Sequence, residues 1–267
     1  MFFNLKSFNF TRTLGMCFVL FSIFACSTVT LLAQPKKTPK SVPTSKPKIN
    51  PLDIKLIAAV KAENIEEVHK LLGQGANPNA IDHDIGFSVP VLNVILNQSD
   101  NPNVEREIAL ALINAGADVN GHGNTGYPPL LIASDVEVVK LLIKKGANVN
   151  YQSTLSGLWT PLHHAVLNSE TIPPLIAAGA KLNELDDEGN SPLMLAISRI
   201  PTTEDGEVDS EKAKEIEKFI KNIQLLLEAG ADTKIKNSEG KTALAMAKEL
   251  KLMKVIDLLQ KSGTKIY

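Results

Sequence analysis

The amino-acid sequence predicts an all-α solenoid of about six helix-turn-helix repeats with short β-turn fingers between them. Three observations lead to it. Apolar helical segments end repeatedly on glycine, at Gly75, Gly116, Gly146, Gly179, Gly230 and Gly263. Gly146 to Gly179 and Gly230 to Gly263 are each 33 residues apart, and the other intervals are insertions or deletions around that period. All but the last of these glycines are followed by alanine, and four copies then carry an asparagine near the next turn: Asn79, Asn120, Asn150 and Asn183. A fixed period of this size marks stacked units, none of which buries its apolar face alone.

The fourth copy states the local logic most fully. It begins Gly157-Leu-Trp-Thr-Pro-Leu-His-His-Ala-Val. Thr160 is an N-cap, because its hydroxyl can accept from a free N–H of the first turn. Pro161 stands at the first helical position, where a missing N–H costs little. A short apolar helix, a second helix and a terminating glycine, Gly179, follow. This pattern resembles the ankyrin repeat, a β-turn plus two antiparallel helices of about 33 residues. The resemblance covers roughly residues 50 to 267. It implies a structural role for Thr160, Pro161, Leu162 and His163, with the imidazole as a hydrogen-bonder near the cap. It also implies a monomer that binds other proteins through its concave face and turn tips.

Residues 1 to 33 carry Lys6 and Arg12, no acidic residue, and an apolar or small run from Leu14 to Ala33. That is the layout of a signal peptide cut after about Ala33. The run is also long enough for an uncleaved anchor, and Ile23-Phe-Ala-Cys26 partly resembles a bacterial lipobox, with Cys26 as the lipidation site. All three readings export the repeats to the periplasm or envelope. Both cysteines, Cys17 and Cys26, lie in this segment, so the domain beyond it is expected to stand without disulfides.

From Gln34 to Pro51 a proline recurs every fourth residue among five lysines. Proline at that density prevents a helix and favours an extended polyproline tether. The six repeats are then expected at about 52–84, 85–124, 125–154, 155–187, 188–237 and 238–267. The first places Lys55, Lys61, Glu63 and Glu66 among its apolar residues, as an end cap facing water should. The second has a loop over Gln98 to Asn103, and the third must turn tightly over Ile132 to Val136. The fifth carries an insertion at about 199–216, read as a surface loop over Ile200 to Val208 and then a lengthened helix, capped at Asp209 or Ser210 and running to about Glu228.

Composition excludes several functions. With 28 basic and 29 acidic residues there is no hint of nucleic-acid binding. No phosphate loop, dinucleotide fingerprint or Gly-x-Ser-x-Gly elbow is present, and the chain is read as a non-enzyme without cofactors. His69, His83 and His122 belong to separate repeats, with no i, i+4 pair and no cysteine to help, so no metal site is expected. The acidic run Glu204 to Asp209 lacks calcium-loop spacing and reads as solvated.

The aromatic residues carry the functional expectation. Phe87, Tyr127 and Trp159 each follow the turn glycine of consecutive repeats, and Tyr151 leads into the turn of Trp159. Stacking would set these turns side by side, as a partner-binding row or as rings packed over their own turns. The expected function is an exported protein-interaction module with an unidentified protein partner. The alternatives are an envelope-structural role for the Lys/Pro segment and a secreted effector acting on a host protein.

Overall fold

The computed structural model describes residues 50–83, 86–155, 157–201 and 209–263. The N-terminal segment with Cys26, the Lys/Pro-rich stretch up to residue 49 and residues 202–208 of the insertion lie outside the described residues.

Among the described residues six helix pairs follow one another: α1 (Pro51–Lys61) with α2 (Ile65–Gly73), α3 (Val91–Gln98) with α4 (Pro102–Asn114), α5 (Pro129–Ile132) with α6 (Val136–Lys144), α7 (Pro161–Ala165) with α8 (Ile172–Ala177), α9 (Pro192–Ser198) with α10 (Ser210–Glu228), and α11 (Ala243–Glu249) with α12 (Met253–Gly263). Each first helix packs on the next first helix and each second helix on the next second helix, which makes two parallel layers. Strands β1 (Ile81–Asp82) and β2 (Val89–Pro90) pair antiparallel between the first two repeats, with Ile81 opposite Pro90.

The repeated glycines end the second helices for one physical reason. Gly75, Gly116, Gly146, Gly179 and Gly230 have φ between 85° and 98°, a left-handed conformation in which a Cβ is strained. The turn they make lets the alanine after each glycine donate its N–H to a leucine carbonyl five residues back: Ala76 to Leu71, Ala117 to Leu112, Ala147 to Leu142, Ala180 to Leu175 and Ala231 to Leu226, each at 3.0 Å. That is the Schellman closure, with its expected apolar contact, because all five leucines and all five alanines are buried. The same residues therefore stop the helix and fill the core.

An asparagine ladder joins successive repeats. Asn79 Nδ2 donates to the Gly116 carbonyl at 3.2 Å and Asn79 Oδ1 accepts from Asp118 N at 2.6 Å. Asn120 does the same to Gly146 and Asn148, and Asn150 to Gly179 and Lys181. Asn183 accepts from Asp232 N at 2.9 Å. The first repeat has no predecessor, and Asp53 on α1 takes the asparagine's place by accepting from Asn77 N at 2.9 Å.

Three expectations are corrected in detail. The Gln98–Asn103 loop is shorter, because Pro102 and Asn103 already belong to α4, whose N-cap Asn101 accepts from Asn103 and Val104. The extra residues of the second repeat thus lengthen a helix. Pro51 is the first residue of α1, capped by Asn50, and so is helix rather than tether. Ile200 is buried in the core and does not belong to a surface loop. The lengthened α10 starts after Asp209, whose carboxylate accepts from Glu211 and Lys212, and ends at Glu228.

Candidate functional site

The turns between repeats are held by their neighbours. Ser88 N donates to Asn124 Oδ1 at 2.7 Å and Asn124 N returns to the Ser88 carbonyl at 3.2 Å. Gln152 Nε2 donates to the Leu185 carbonyl at 2.9 Å, Asp187 N to the Gly157 carbonyl at 2.9 Å, and Ser238 N to the Glu188 carbonyl at 3.0 Å. A Cβ on Gly126 would come within 2.8 Å of Leu155 Cδ1, so the leucine of one turn lies directly on the glycine of the turn before it. Backbone bonds of this kind make a continuous, preorganised edge.

Thr160 and His163 show how the fourth turn is fixed. Thr160 Oγ1 accepts from His163 N at 3.4 Å and lies 2.8 Å from His163 Nδ1, which also accepts from Thr160 N at 3.2 Å. This is a reciprocal capping box with histidine in the third helical position. His163 Nε2 donates across the repeat boundary to the Asn190 carbonyl at 3.2 Å. Both ring nitrogens are thereby used by a neutral imidazole, and burial pushes the His163 pKa down to about 4. Leu162 is buried beside it, and Pro161 opens α7. Asn190, which receives His163, is tied in turn to Glu188 and to Asn237 of the following repeat.

The aromatic residues divide. Phe87 is 37% exposed on its turn. Trp159 is half-buried against the core and stacks on His163, with ring centroids 6.4 Å apart and planes at 27°. The Arg199 guanidinium lies 5.9 Å from the Trp159 ring centroid on its face. The half-buried Tyr151 meets His122 of the preceding turn at 5.8 Å. Tyr127 is half-buried, and its carbonyl accepts from Asn93 Nδ2 at 2.6 Å. Two of the four rings thus pair with histidines rather than with the next aromatic residue along the edge.

Sequence reasoning passed over the leucines of the same edge. Leu155, Leu158 and Leu185 are 57%, 36% and 37% exposed. Leu158 also has φ 57°, a left-handed conformation that non-glycine residues rarely adopt. Exposed apolar side chains on adjoining turns are the kind of patch that marks an interaction surface. The signal was legible in outline: Leu155 and Leu158 sit in a stretch of threonine, serine and glycine that has no helical period to absorb them.

On the neighbouring turns a cavity of about 490 Å³ is lined by Glu188, Asn190, Asn237, Lys241, Glu249 and Leu250, among others. Lys241 Nζ lies 2.8 Å from Glu239 and 2.6 Å from Glu249. The hydrogen bonds that Lys241 donates to these two carboxylates push its pKa up to about 12. Among the described residues no cluster of three or more histidine, cysteine, aspartate or glutamate side chains could hold a metal ion, and no helix is long and apolar enough to cross a membrane.

A family model for ankyrin repeats, in three copies, matches residues 137–203. A solved ankyrin repeat protein is similar over 78% of this chain and 96% of its own, at TM-score 0.63 and 21% identity. An ankyrin repeat domain from Acinetobacter baumannii AYE is similar over 78% of this chain and 97% of its own, at TM-score 0.61 and 26% identity. The chain belongs to the ankyrin-repeat family. Ankyrin repeats are protein-interaction modules on a generally non-enzymatic fold. Among curated relatives, glycerophosphocholine phosphodiesterase gde1 of Schizosaccharomyces pombe is 30% identical over 149 residues, which is 55% of this chain and 13% of that protein. This ankyrin-repeat chain spans between 8% and 23% of the length of the first curated relatives it matches.

Proposed function

We propose that this ankyrin-repeat chain is an exported, non-enzymatic binding module. Its N-terminal segment delivers it to the periplasm or envelope, where the repeats act as a monomer and take a partner protein through the concave face and the turn tips. The observation that carries this reading is the run of exposed apolar side chains, Phe87, Leu155, Leu158 and Leu185, on turns held by their neighbours. A surface already ordered before binding loses little conformational entropy when a partner arrives. Export is supported by the charge and apolar pattern of residues 1 to 33.

The test is a pull-down from envelope extracts with the full chain, beside a Phe87→Ala/Leu158→Ala variant whose circular dichroism matches the parent. A protein retained by the parent and lost by the variant supports the reading; equal recovery of every protein by both removes the turn edge from it. Cell fractionation with and without residues 1–33 tests export separately.

The Lys/Pro segment favours a second role, as five lysines without an acidic residue between Gln34 and Pro51 suit contact with anionic envelope polymers or lipids. Replacing those lysines with serine should then release the chain from the envelope and leave partner capture intact.

A further inference from the structure

We infer that the fourth and fifth turns form a composite subsite for a protein segment that carries an apolar side chain next to a lysine or arginine. This rests on the protein-binding reading above and specifies the partner's chemistry. Leu155 and Leu158 stand on one turn and Leu185 on the next, and all three are exposed. The Gln152 to Leu185 bond and the Asp187 to Gly157 bond lock the two turns together. The locked turns also bring charge to the leucines: a Cβ on Gly157 would come within 2.9 Å of Asp187 Oδ1.

Asp187 and Glu188 bring acidic charge beside these leucines, and Arg199, the cation of the same region, lies over the face of the Trp159 ring. Asp187 and Glu188 are exposed, and neither is paired with a cation among the described residues. Asp186 is buried at the base of the same turn and accepts from Glu188 N and Asn190 N, which fixes the direction in which its neighbours project. Lys181 is engaged with Glu184 at 2.8 Å, and Lys241 with Glu239 and Glu249, so these cations do not neutralise Asp187 and Glu188. An apolar side chain over the three leucines would set the next residue of a bound segment against two uncompensated carboxylates. A cation there gains charge-assisted hydrogen bonds, and an anion is repelled.

The experiment measures binding of three fluorescein-labelled synthetic peptides to the full chain by fluorescence anisotropy. Their sequences alternate leucine with lysine, leucine with glutamate, and serine with lysine. The leucine–lysine peptide is expected to bind at least tenfold tighter than the other two. That preference is expected to collapse in a Leu155→Ser/Leu185→Ser variant and in an Asp187→Asn/Glu188→Gln variant, both checked for unchanged circular dichroism and urea midpoint. No preference among the peptides, or a preference untouched by both variants, overturns the proposal. If an envelope partner is still captured in the pull-down, the general binding reading survives that failure; if nothing is captured either, both fall. A peptide of residues 34–49 that competes with the same sensitivity to the two variants would make the chain's own Lys/Pro segment the occupant and would overturn a foreign partner.

Discussion

Asn120 holds the end of the next repeat's second helix: its Nδ2 donates to the Gly146 carbonyl at 3.1 Å and its Oδ1 accepts from Asn148 N at 2.8 Å. One side chain thus satisfies two backbone groups left open by the helix end and the turn after it. The same geometry recurs at Asn79 and Asn150. Replacing Asn120 by alanine removes both bonds. Because the site is exposed, water recovers part of the loss, and we expect about 1–2 kcal/mol of destabilisation. The measurement is a urea-unfolding midpoint, and Asn120→Asp should be intermediate because it keeps only the acceptor.

The buried leucines of the Schellman turns should be far less tolerant. Leu142 and Leu226 are both fully buried, and the carbonyl of each closes the turn at its helix end. Leu142→Ala or Leu226→Ala is expected to cost about 2–5 kcal/mol, since each leaves a cavity between stacked layers. A urea midpoint unchanged by either substitution would contradict the stacking of the core.

Acid should unfold the domain partly through His163. Its pKa of about 4 in the folded chain lies below the ordinary 6.5, with burial as the main cause. The folded state therefore refuses a proton that the unfolded chain accepts. The contribution is complete above pH 6.5 and is lost as the pH falls from 6.5 towards 4, by on the order of 3 kcal/mol. His164, pushed down to about 4 by burial as well, adds in the same direction. Urea midpoints measured across this range should fall with acidification, and a His163→Asn variant should show a shallower slope together with a lower plateau.

Lys251 offers a stabilising change. It has φ 55° at the end of α11, where Leu252 N donates to the Ala247 carbonyl at 2.9 Å in the same turn that glycine makes elsewhere. The left-handed conformation costs a lysine about 1–2 kcal/mol, and glycine avoids that at the expense of some unfolded-state entropy. Lys251→Gly should therefore raise stability by about 0.5–1 kcal/mol. Gly146→Ala, at φ 90° in open space, should lower it for the converse reason.

Much of the helix framework was legible because its signals are local. A cap such as Thr160 or Asp209 acts within three residues, and a left-handed glycine with its following alanine closes a turn over six. The apolar period of each second helix then identifies its buried leucines. The candidate site was less legible. The aromatic positions were found from their distance to the turn glycines, but Trp159 turned out to stack on His163 four residues on, and Tyr151 to meet His122 of the preceding repeat, a pairing that nothing within one repeat specifies. The exposed leucines went unnoticed because a leucine in a loop has no period to show which side of the edge it takes.

The sequence by itself determined the repeat, its caps and its helix ends, since each depends on backbone groups and φ angles within a few residues. Tertiary structure decided the relations between repeats. Asn222 on α10 is fully buried and donates to the Val166 carbonyl at 2.7 Å, a partner 56 residues away. Ile200 packs inward although an insertion follows it, and Asp187 stands beside Gly157 only because two turns of unequal length stack in register. Such contacts depend on how insertions shift one layer against the next, and local preference carries no record of that shift.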